Sequence, residues 1–327
     1  MRLLYSISIR FLIFGIRIAS LFNPKAKKWI TGRKNLFAEL QKKISELKTP
    51  NLPAGQSSQL VWFHCSSLGE FEQGRPLIEN LKRKNSNLKI LLTFFSPSGY
   101  EVRKKYPGAD FVFYLPADTI SNAKKFLYIV KPSVVVFVKY EFWFNFLNEI
   151  HNRKIPLFLV SANFRQGQHF FKWYGSWAKK HLNFFTHIFV QSESSDSLLK
   201  SNGINNVSVS GDTRFDRVYE ISKTAKEIPI AKIFSKNSFV IVAGSTWKED
   251  EEIISQSFPE NLKLIIAPHE IDETHLQKME KLFSDCKAIR FSKAMEQNVS
   301  DKNVLIIDNI GLLSSLYQYG KIAYIGG

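Results

Sequence analysis

The sequence predicts an α/β protein made of two doubly wound, Rossmann-like domains in tandem. From about residue 59 onward, short apolar runs rich in β-branched and aromatic residues alternate with helical patterns. Continuous apolar strands separated by helices are typical of a parallel sheet that is covered on both faces. The series stops at a polar, lysine-rich stretch and then restarts, and 327 residues are enough for two domains. We expect ligand to bind in the crevice between the halves, at the carboxyl ends of the strands.

Twelve runs are predicted to be strands. Those of the first half are QLVWFH, LKILLTFFS, ADFVFYLP, SVVVFVKY, IPLFLVSA, THIFVQS and NVSVSGD. A stretch that we interpret as a linker with one helix, YEISKTAKEIPIAKIFSKNS, separates them from SFVIVAGS, LKLIIAPH, KAIRFS, NVLIIDN and KIAYIGG. We expect domains at 25–222 and 223–327, preceded by a helix at 1–24. Because KIAYIGG looks like a strand running into a glycine turn with nothing after it to cover the sheet, we expect the second domain to be truncated.

The chain is strongly basic, with a formal net charge of +16. An excess of this size favours acidic partners: nucleic acid, an anionic membrane surface or phosphorylated small molecules. Cys65 and Cys286 lie far apart and next to no metal-ligand spacing, which indicates buried thiols in a reducing compartment and not a disulfide framework. The histidines lack H-x-x-x-H spacing and no G-x-S-x-G elbow occurs, so neither a metal site nor a serine hydrolase is indicated.

The N-terminal residues, MRLLYSISIRFLIFGIRIASLF, predict an amphipathic helix. On a helical wheel Arg2, Ser6, Arg10, Arg17 and Ser20 fall within a wedge of about 80°, and bulky apolar residues fill the rest. Burying two arginines is costly, which disfavours a membrane-spanning helix. We interpret the segment as a helix lying in a membrane surface, followed by the basic run NPKAKKWITGRK, which favours anionic lipids. The alternative is a helix packed on the protein's own core.

The stretch HCSSLGEFEQGRP allows two interpretations of Glu70. Ser67-x-x-Glu70 fits a capping box, in which the two side chains satisfy each other's backbone N–H groups at a helix start. An acid in the first turn also suits the helix dipole. The alternative is that Glu70 takes a proton from a substrate. One side chain can do both where the helix start faces a cleft.

Polar residues also follow other predicted strands. In VSGDTRFDR, Arg214 comes just after a strand, where an arginine neutralises a leaving phosphate; an ion pair with Asp212 or Asp216 is the alternative. In VIVAGSTWKEDEE, the backbone N–H groups around Ser245 and Thr246 are placed to hold a phosphate, and a plain capped turn is the alternative.

Two stretches combine aromatic and charged residues. KYEFWFN places Glu141 and Asn145 at a strand end among aromatics, so Glu70 and Glu141 are a candidate pair of acids in one cleft. The run FFKWYGSWAKKHLNFF, residues 170–185, interleaves aromatics with lysines. It would stack on bases or sit against lipid headgroups. An amphipathic helix packed on the core is the alternative for this run.

Taken in order, these blocks resemble the 3-deoxy-D-manno-octulosonic acid (Kdo) transferases of Gram-negative bacteria over essentially the whole chain. HCSSLGEFEQGRPLI is similar to the family's H-x-x-S-x-G-E block, whose glutamate is the proposed general base, here Glu70. KYEFWFN resembles E-x-E-x-W-P-N, with Lys139 and Phe144 replacing the first glutamate and the proline. SGDTRFD resembles G-N-x-K-F-D, with Arg214 in the place of a lysine thought to stabilise the transition state. WITGRK, TFFSPSGYE and YLPADT also have counterparts, whereas SANFRQGQ departs from the family pattern.

The second half resembles the family's nucleotide-binding blocks. AGSTWKEDE matches G-S-T-x-x-x-E, APHE falls where the family has A-P-R-H, and DNIGLLSSLY resembles D-T-x-G-E-L-x-x-x-Y with Leu312 in the glutamate's place. The chain ends at the glycine pair that precedes the family's G-G-H-N-x-L-E-P block, which supplies part of the nucleotide site. The residues that the resemblance implies for the CMP of the donor are Ser245, Thr246, Pro268, His269, Ile310, Gly311 and Leu312.

The resemblance implies a GT-B, inverting, metal-independent glycosyltransferase that moves Kdo from CMP-Kdo to a lipid A precursor, at the cytoplasmic face of the inner membrane. Its implied catalytic residues are Glu70 as general base, Glu141, and Arg214. We expect the partners to be CMP-Kdo, the lipid A precursor and an anionic membrane surface, and not nucleic acid.

Two alternatives stay open. One is another GT-B transferase or an epimerase with a uridine sugar, which UDP and not CMP would inhibit. The other is a basic, membrane-bound nucleic-acid-binding protein or non-catalytic remnant; nucleic-acid binding would be steeply salt-dependent.

Overall fold

The chain forms two compact units, residues 1–217 and 218–327. The structure, a computed structural model, describes residues 1–46, 59–140, 142–223, 226–259, 261–295 and 298–327. All twelve runs predicted to be strands contain one, and each unit has its own parallel sheet. The predicted α/β class with two sheets in tandem is confirmed.

Unit 1 is built around a seven-stranded sheet. Its strands are β1 (Leu60–Cys65), β2 (Lys89–Phe94), β3 (Phe111–Tyr114), β4 (Val134–Val138), β5 (Leu157–Ala162), β6 (His187–Val190) and β7 (Val207–Val209). Its helices are α1 (Arg2–Ala19), α2 (Pro24–Thr31), α3 (Leu36–Glu46), α4 (Leu68–Lys84), α5 (Pro97–Arg103), α6 (Ile120–Val130), α7 (Phe144–Asn152), α8 (Ser176–Lys180), α9 (Glu193–Ser201) and α10 (Thr213–Lys223), which contains the boundary with unit 2. Short 3₁₀ turns occur at His169–Phe171 and His181–Phe184.

The strand order is β3-β2-β1-β4-β5-β6-β7, with all neighbours parallel. Successive residues of β1 belong to two different buried clusters: Trp62 to one and Phe63 to the other. Both faces of the sheet are therefore covered, which explains why the strands are continuously apolar. The order reverses between β1 and β4, and this reversal places a crevice at the carboxyl ends of these two strands.

Helix α1 packs on unit 1 through the side that carries Arg2, Tyr5 and the buried Ile9. The Tyr5 ring lies 5.0 Å from the Phe144 ring and 5.9 Å from the Trp177 ring. Arg2 Nε donates to Asn145 Oδ1 at 3.5 Å. The opposite side of the helix exposes large apolar side chains, namely Leu3, Leu4, Ile7, Phe11, Phe14 and Ile18.

The predicted polar wedge of α1 is therefore divided. Arg2 contacts the body of unit 1, whereas Arg10 and Arg17 are exposed. Within the described ranges, no helix is both long and apolar enough to cross a membrane. The helix thus has one side packed on protein and one side that exposes apolar residues to the surroundings.

Unit 2 contains a five-stranded sheet with β8 (Val240–Thr246), β9 (Lys263–Pro268), β10 (Ala288–Arg290), β11 (Val304–Ile306) and β12 (Ile322–Ile325). Its helices are α11 (Pro229–Ser235), α12 (Lys248–Ser257), α13 (Glu273–Leu282) and α14 (Leu313–Leu316), with 3₁₀ turns at Ser284–Cys286, Phe291–Lys293 and Tyr317–Tyr319. The order is β10-β11-β9-β8-β12, again all parallel. In its described residues, the stretch interpreted as a linker contains one complete helix, α11, together with the end of α10. Helix α10 extends into it as far as Lys223, and α11 begins at Pro229, where the fixed φ of proline suits a first turn.

Candidate active site

The carboxyl ends of the strands in unit 1 gather most of the predicted catalytic residues. β1 leads directly into α4, whose first turn carries Glu70, and β4 pairs with β1 and leads toward α7. This is the switch point of the sheet, where doubly wound proteins bind ligands. We call this region the unit 1 edge; it comprises Ser67, Glu70, Asp118, Lys139, Trp143, Asp212 and Arg214.

Glu70 is held by Ser67 in the first turn of α4. Ser67 is the N-cap residue, but its side chain caps no backbone N–H; its hydroxyl donates to Glu70 Oε2 instead. The predicted capping box is therefore wrong, because the two side chains pair with each other and not with the helix backbone. Glu70 is half-buried, and among the described residues its other oxygen accepts no hydrogen bond. A carboxylate with one oxygen fixed and the other open suits a general base.

The start of α4 is fixed on the sheet by two contacts close to Glu70. Thr213 Oγ1 donates to the Gln73 carbonyl oxygen at 2.7 Å. Gly74 lets the helix lie close to β4, because a Cβ at this position would lie 2.9 Å from Val138 Cγ2. These contacts position Glu70 relative to the strand ends and bring the first residue of α10 next to α4.

Arg214 follows Thr213 and forms an ion pair. Its Nε and Nη2 donate to Asp212 Oδ2 at 2.9 and 2.6 Å, and its side chain is 64% exposed. These hydrogen bonds hold the pKa of Asp212 below its ordinary value. Thus the alternative interpretation, an ion pair with Asp212, is what the structure contains. Exposed pairs contribute about 1 kcal/mol or less, so a substrate anion can compete for this arginine.

Glu141 lies outside the described residues, so its predicted role as the second acid stays a prediction. Of its neighbours, Lys139 has a left-handed φ of 69° at the end of β4. Trp143 Nε1 donates to His64 Nε2 at 2.9 Å. Because His64 Nε2 accepts, Nδ1 carries the proton and donates to Thr93 Oγ1 at 2.9 Å. The buried His64 thus connects β1 and β2 to the segment that precedes α7.

Asp118 is a buried residue of this edge whose role the sequence did not indicate. Its carboxylate accepts the backbone N–H groups of Asn145 and Phe146 at 3.0 Å each, so it caps α7 from another loop. Tyr5 donates its hydroxyl to the same carboxylate at 2.6 Å. Burial raises the pKa of Asp118 to about 6. A cap whose partners lie 27 and 28 residues away has no local sequence signature.

In unit 2, the carboxyl ends of the adjacent strands β8, β9 and β11 bring together the residues expected at the donor nucleotide. Ser245 and Thr246 end β8, and Pro268 ends β9. We call this region the unit 2 edge; it comprises Ser245, Thr246, Trp247, Pro268, His269, Ile310, Gly311 and Leu312. Ile310 is exposed and Gly311 has a left-handed φ of 98°.

Backbone conformation shapes the end of β8. A Cβ at Gly244 would lie 2.2 Å from the Tyr317 hydroxyl oxygen, so a larger residue forces a shift. Ser245 has a left-handed φ of 55° at an irregularity in the pairing of β8 with β9. The Trp247 N–H donates to Asp250 at 2.9 Å, so this amide of the helix start is already satisfied.

Side chains of α12 and α13 hold the loop that follows. The buried Thr246 hydroxyl donates to Glu251 Oε1 at 3.0 Å, and Glu251 is paired with His275 at 3.0 Å. The indole of Trp247 stacks on the His269 ring, with centroids 4.4 Å apart. Both rings are exposed, so the unit 2 edge presents a flat aromatic surface beside the end of β8. In the part of the chain that the structure describes, no group of three His, Cys, Asp or Glu could hold a metal ion.

Residues 38–217 match the family described as 3-deoxy-D-manno-octulosonic-acid transferase (kdotransferase). The chain is 32% identical to a 3-deoxy-D-manno-octulosonic acid transferase of Aquifex aeolicus, over 82% of this chain and 69% of that protein. It is 26% identical to the transferase of the same name from Rickettsia felis, over 89% of this chain and 64% of that protein. The chain thus spans about two thirds of the length of these relatives.

Among solved structures, the chain resembles a UDP-GlcNAc 2-epimerase from Neisseria meningitidis bound to UDP-GlcNAc. The TM-score is 0.55 at 18% identity, over 82% of this chain and 77% of that one. The epimerase from Methanocaldococcus jannaschii gives 0.52 at 17% identity, over 82% and 78% of the two chains. At these identities the likeness concerns the fold, which is GT-B, as expected from the sequence.

Proposed function

We propose that this chain, which belongs to the 3-deoxy-D-manno-octulosonic-acid transferase family of glycosyltransferases, moves Kdo from CMP-Kdo to a lipid A precursor in lipopolysaccharide synthesis. The observation that carries the proposal is the environment of Glu70. This half-buried carboxylate lies at the switch point of the first sheet, with one oxygen fixed by Ser67 and the other open. A group in this position can accept a proton from a hydroxyl that enters the crevice.

The proposed reaction is a single displacement with inversion at the anomeric carbon. Glu70 takes the proton from a glucosamine hydroxyl of the acceptor, and the hydroxyl oxygen forms a bond to the anomeric carbon of Kdo. The bond from that carbon to the phosphate oxygen breaks, and CMP leaves with the electron pair. Glu141 is the second candidate acid. The proposed chemistry is proton transfer and electrostatic stabilisation by side chains, without a metal or cofactor.

We assign the CMP of the donor to the unit 2 edge. The residues expected to contact it follow three adjacent strands, and the exposed rings of Trp247 and His269 offer a flat surface there. We assign to Arg214 the stabilisation of charge on the leaving phosphate, because its exposed pair with Asp212 is weak enough to be exchanged.

We also propose that the protein works at an anionic membrane surface, the cytoplasmic face of the inner membrane. The apolar side of α1, represented by Leu4, Phe11 and Phe14, is exposed. Helix α2 follows with the exposed lysines Lys25 and Lys27. An amphipathic helix with basic neighbours binds such a surface through buried apolar area and attraction to anionic lipids. This arrangement brings the enzyme to a lipid acceptor.

The experiment that tests the proposal compares Glu70→Gln with wild type in Kdo transfer from CMP-Kdo to a lipid A precursor, using the full-length protein. Glutamine keeps a carbonyl oxygen that accepts from Ser67 but cannot act as a base. We expect turnover to fall by about 10²–10⁴ and the free energy of unfolding to change by less than about 1 kcal/mol. Turnover like that of wild type would assign the role of base to another acid, with Glu141 next in line.

Glu79→Gln is the matched control, because Glu79 lies on the same helix and pairs with Arg75 at the surface. Its turnover should equal that of wild type. Nucleotide competition separates the proposal from a uridine-sugar enzyme of the same fold: CMP should inhibit the wild type and UDP should not. Inhibition by UDP alone, without Kdo transfer, would contradict the proposed donor.

A further inference from the structure

We infer that unit 1 has a second membrane-contact element, the turn Lys172–Gly175, which presents Trp173 and Tyr174 to an anionic phospholipid surface. The inference rests on the proposed function in one respect, since it extends the membrane contact proposed for α1. From here on we call residues 172–175 the Trp173 turn.

Hydrogen bonds and close packing order the backbone of the Trp173 turn. The buried Phe170 anchors its start, the Lys172 N–H donates to the His169 carbonyl at 3.3 Å, and the Gly175 N–H donates to the Lys172 carbonyl at 2.8 Å. The backbone packs so closely here that a Cβ at Gly175 would lie 1.7 Å from the His169 carbonyl oxygen. The backbone of the turn is therefore tightly packed, and Trp173 and Tyr174 lie at its tip.

That shape leaves two large aromatic side chains in solvent. Trp173 is 93% exposed and Tyr174 is 54% exposed, and their rings meet edge to face with centroids 5.4 Å apart. Two large aromatic side chains exposed side by side leave apolar area in water that contact with an apolar surface would cover. Trp and Tyr are the residues enriched where a protein meets the membrane interface, because each has an apolar body and a polar tip.

The turn adjoins helix α1. Trp177, in the helix that follows the turn, has its ring 5.9 Å from the Tyr5 ring of α1 and 4.6 Å from the Phe144 ring. Only a few residues of chain separate this contact from Trp173. The Trp173 turn and helix α1 therefore lie close together on unit 1, and the proposed membrane contact includes both.

The charge of the two segments matches an anionic surface. Residues 1–38 contain eight Arg and Lys and residues 150–192 contain six, and neither segment contains an Asp or Glu. Lys172 and Lys180 flank the exposed aromatics and are themselves exposed. Basic residues beside an apolar contact attract anionic headgroups. Nucleic acid shares that attraction, but it would leave the exposed Leu and Phe side chains of α1 in water, whereas a lipid surface covers them.

The test measures binding of the full-length protein to phosphatidylcholine vesicles, with and without phosphatidylglycerol, by co-sedimentation. The variant Trp173→Ser with Tyr174→Ser should bind the anionic vesicles about tenfold more weakly or worse, because two large apolar contacts are lost. Tyr128→Ser is the matched control: Tyr128 is 70% exposed on α6 and has Lys131 beside it. It should bind like wild type. Both variants should keep the wild-type thermal midpoint, since the replaced side chains are largely in solvent.

A second readout locates the contact directly. Brominated lipids should quench the tryptophan fluorescence of wild type more than that of Trp173→Phe. Unchanged vesicle binding in the double variant, or loss of oligonucleotide binding without loss of vesicle binding, would overturn the inference. Kdo transfer to a detergent-dispersed acceptor should be the same in the double variant and in wild type. Absence of transfer in wild type would count against the proposed function and leave the vesicle result unaffected.

Discussion

The unit 1 edge and the unit 2 edge occupy equivalent places in two parallel sheets but are built differently. At the unit 1 edge, charged and polar side chains pair with one another: Ser67 with Glu70, and Arg214 with Asp212. At the unit 2 edge, close packing of side chains on Gly244 and the left-handed backbone of Ser245 set the shape. A site made of exchangeable side-chain pairs suits chemistry, and a closely packed site suits recognition of a fixed shape. Substitutions should therefore affect activity most at the first edge and folding most at the second.

Gly244→Ala should show the largest effect on stability. The added Cβ would lie 2.2 Å from the Tyr317 hydroxyl oxygen, and overpacking of this kind costs about 1–3 kcal/mol. Adding Tyr317→Phe removes that oxygen and should recover part of the loss, as measured by denaturant unfolding. Gly15→Ala is the matched control, because nothing lies within 4 Å of its Cβ; it should stabilise α1 slightly. Equal effects at Gly244 and Gly15 would contradict a shape set by close packing.

Tyr5→Phe should show a smaller effect that depends on pH. Burial raises the pKa of Asp118 to about 6, and the Tyr5 hydroxyl opposes this rise by donating to the charged carboxylate. Because the folded pKa is raised, the folded state binds this proton more tightly than the unfolded chain, and stability falls as the pH rises through about 4 to 6. Without the hydroxyl the pKa rises further.

The loss in Tyr5→Phe should therefore be about 1.5 kcal/mol or more where Asp118 is charged and smaller where it is protonated. Denaturant unfolding at about pH 5 and about pH 7.5 measures the difference. Tyr128→Phe, at an exposed position, should lose nothing at either pH. A loss in Tyr5→Phe that is independent of pH would mean that the ring packing against Phe144, and not the hydrogen bond, is what Tyr5 contributes.

Asp212→Asn should have the smallest effect on stability, less than about 1 kcal/mol, because its partner Arg214 is exposed and solvent screens the pair. Thermal unfolding of Asp212→Asn and of Arg214→Gln checks this. If Arg214 contacts the leaving phosphate, Arg214→Gln should lower turnover while stability stays near wild type. If either Asp212→Asn or Arg214→Gln lowered stability as much as Gly244→Ala, the distinction between the two edges would be lost.

The strands were predictable because parallel strands buried on both faces consist of apolar residues without interruption, as Trp62 and Phe63 show by packing on opposite faces. The order of the candidate blocks along the chain also placed Glu70 just after a strand and Ser245 at the end of one. The positions of these residues depend on local sequence, so local sequence patterns are enough to predict them.

What could not be predicted depends on side-chain direction and on distant partners. The spacing of Ser67 and Glu70 is that of a capping box, but the spacing does not specify that the hydroxyl turns to the carboxylate. The polar side of α1 was identifiable, but not that Arg2 turns toward Asn145 while the apolar side stays exposed. The stack of Trp247 on His269 joins two loops and likewise has no sequence pattern.

The packing of α1 also determines when this helix can join its unit during synthesis. Phe144 and Trp177, against which the Tyr5 ring packs, are made more than a hundred residues after Tyr5. At typical elongation rates that interval is roughly 10–30 s. For this time the helix has α2 beside it but lacks the rings on which Tyr5 packs. Under the proposed membrane contact, a nearby bilayer can cover its apolar side. If α1 binds a membrane as proposed, that binding can therefore begin before unit 1 is folded.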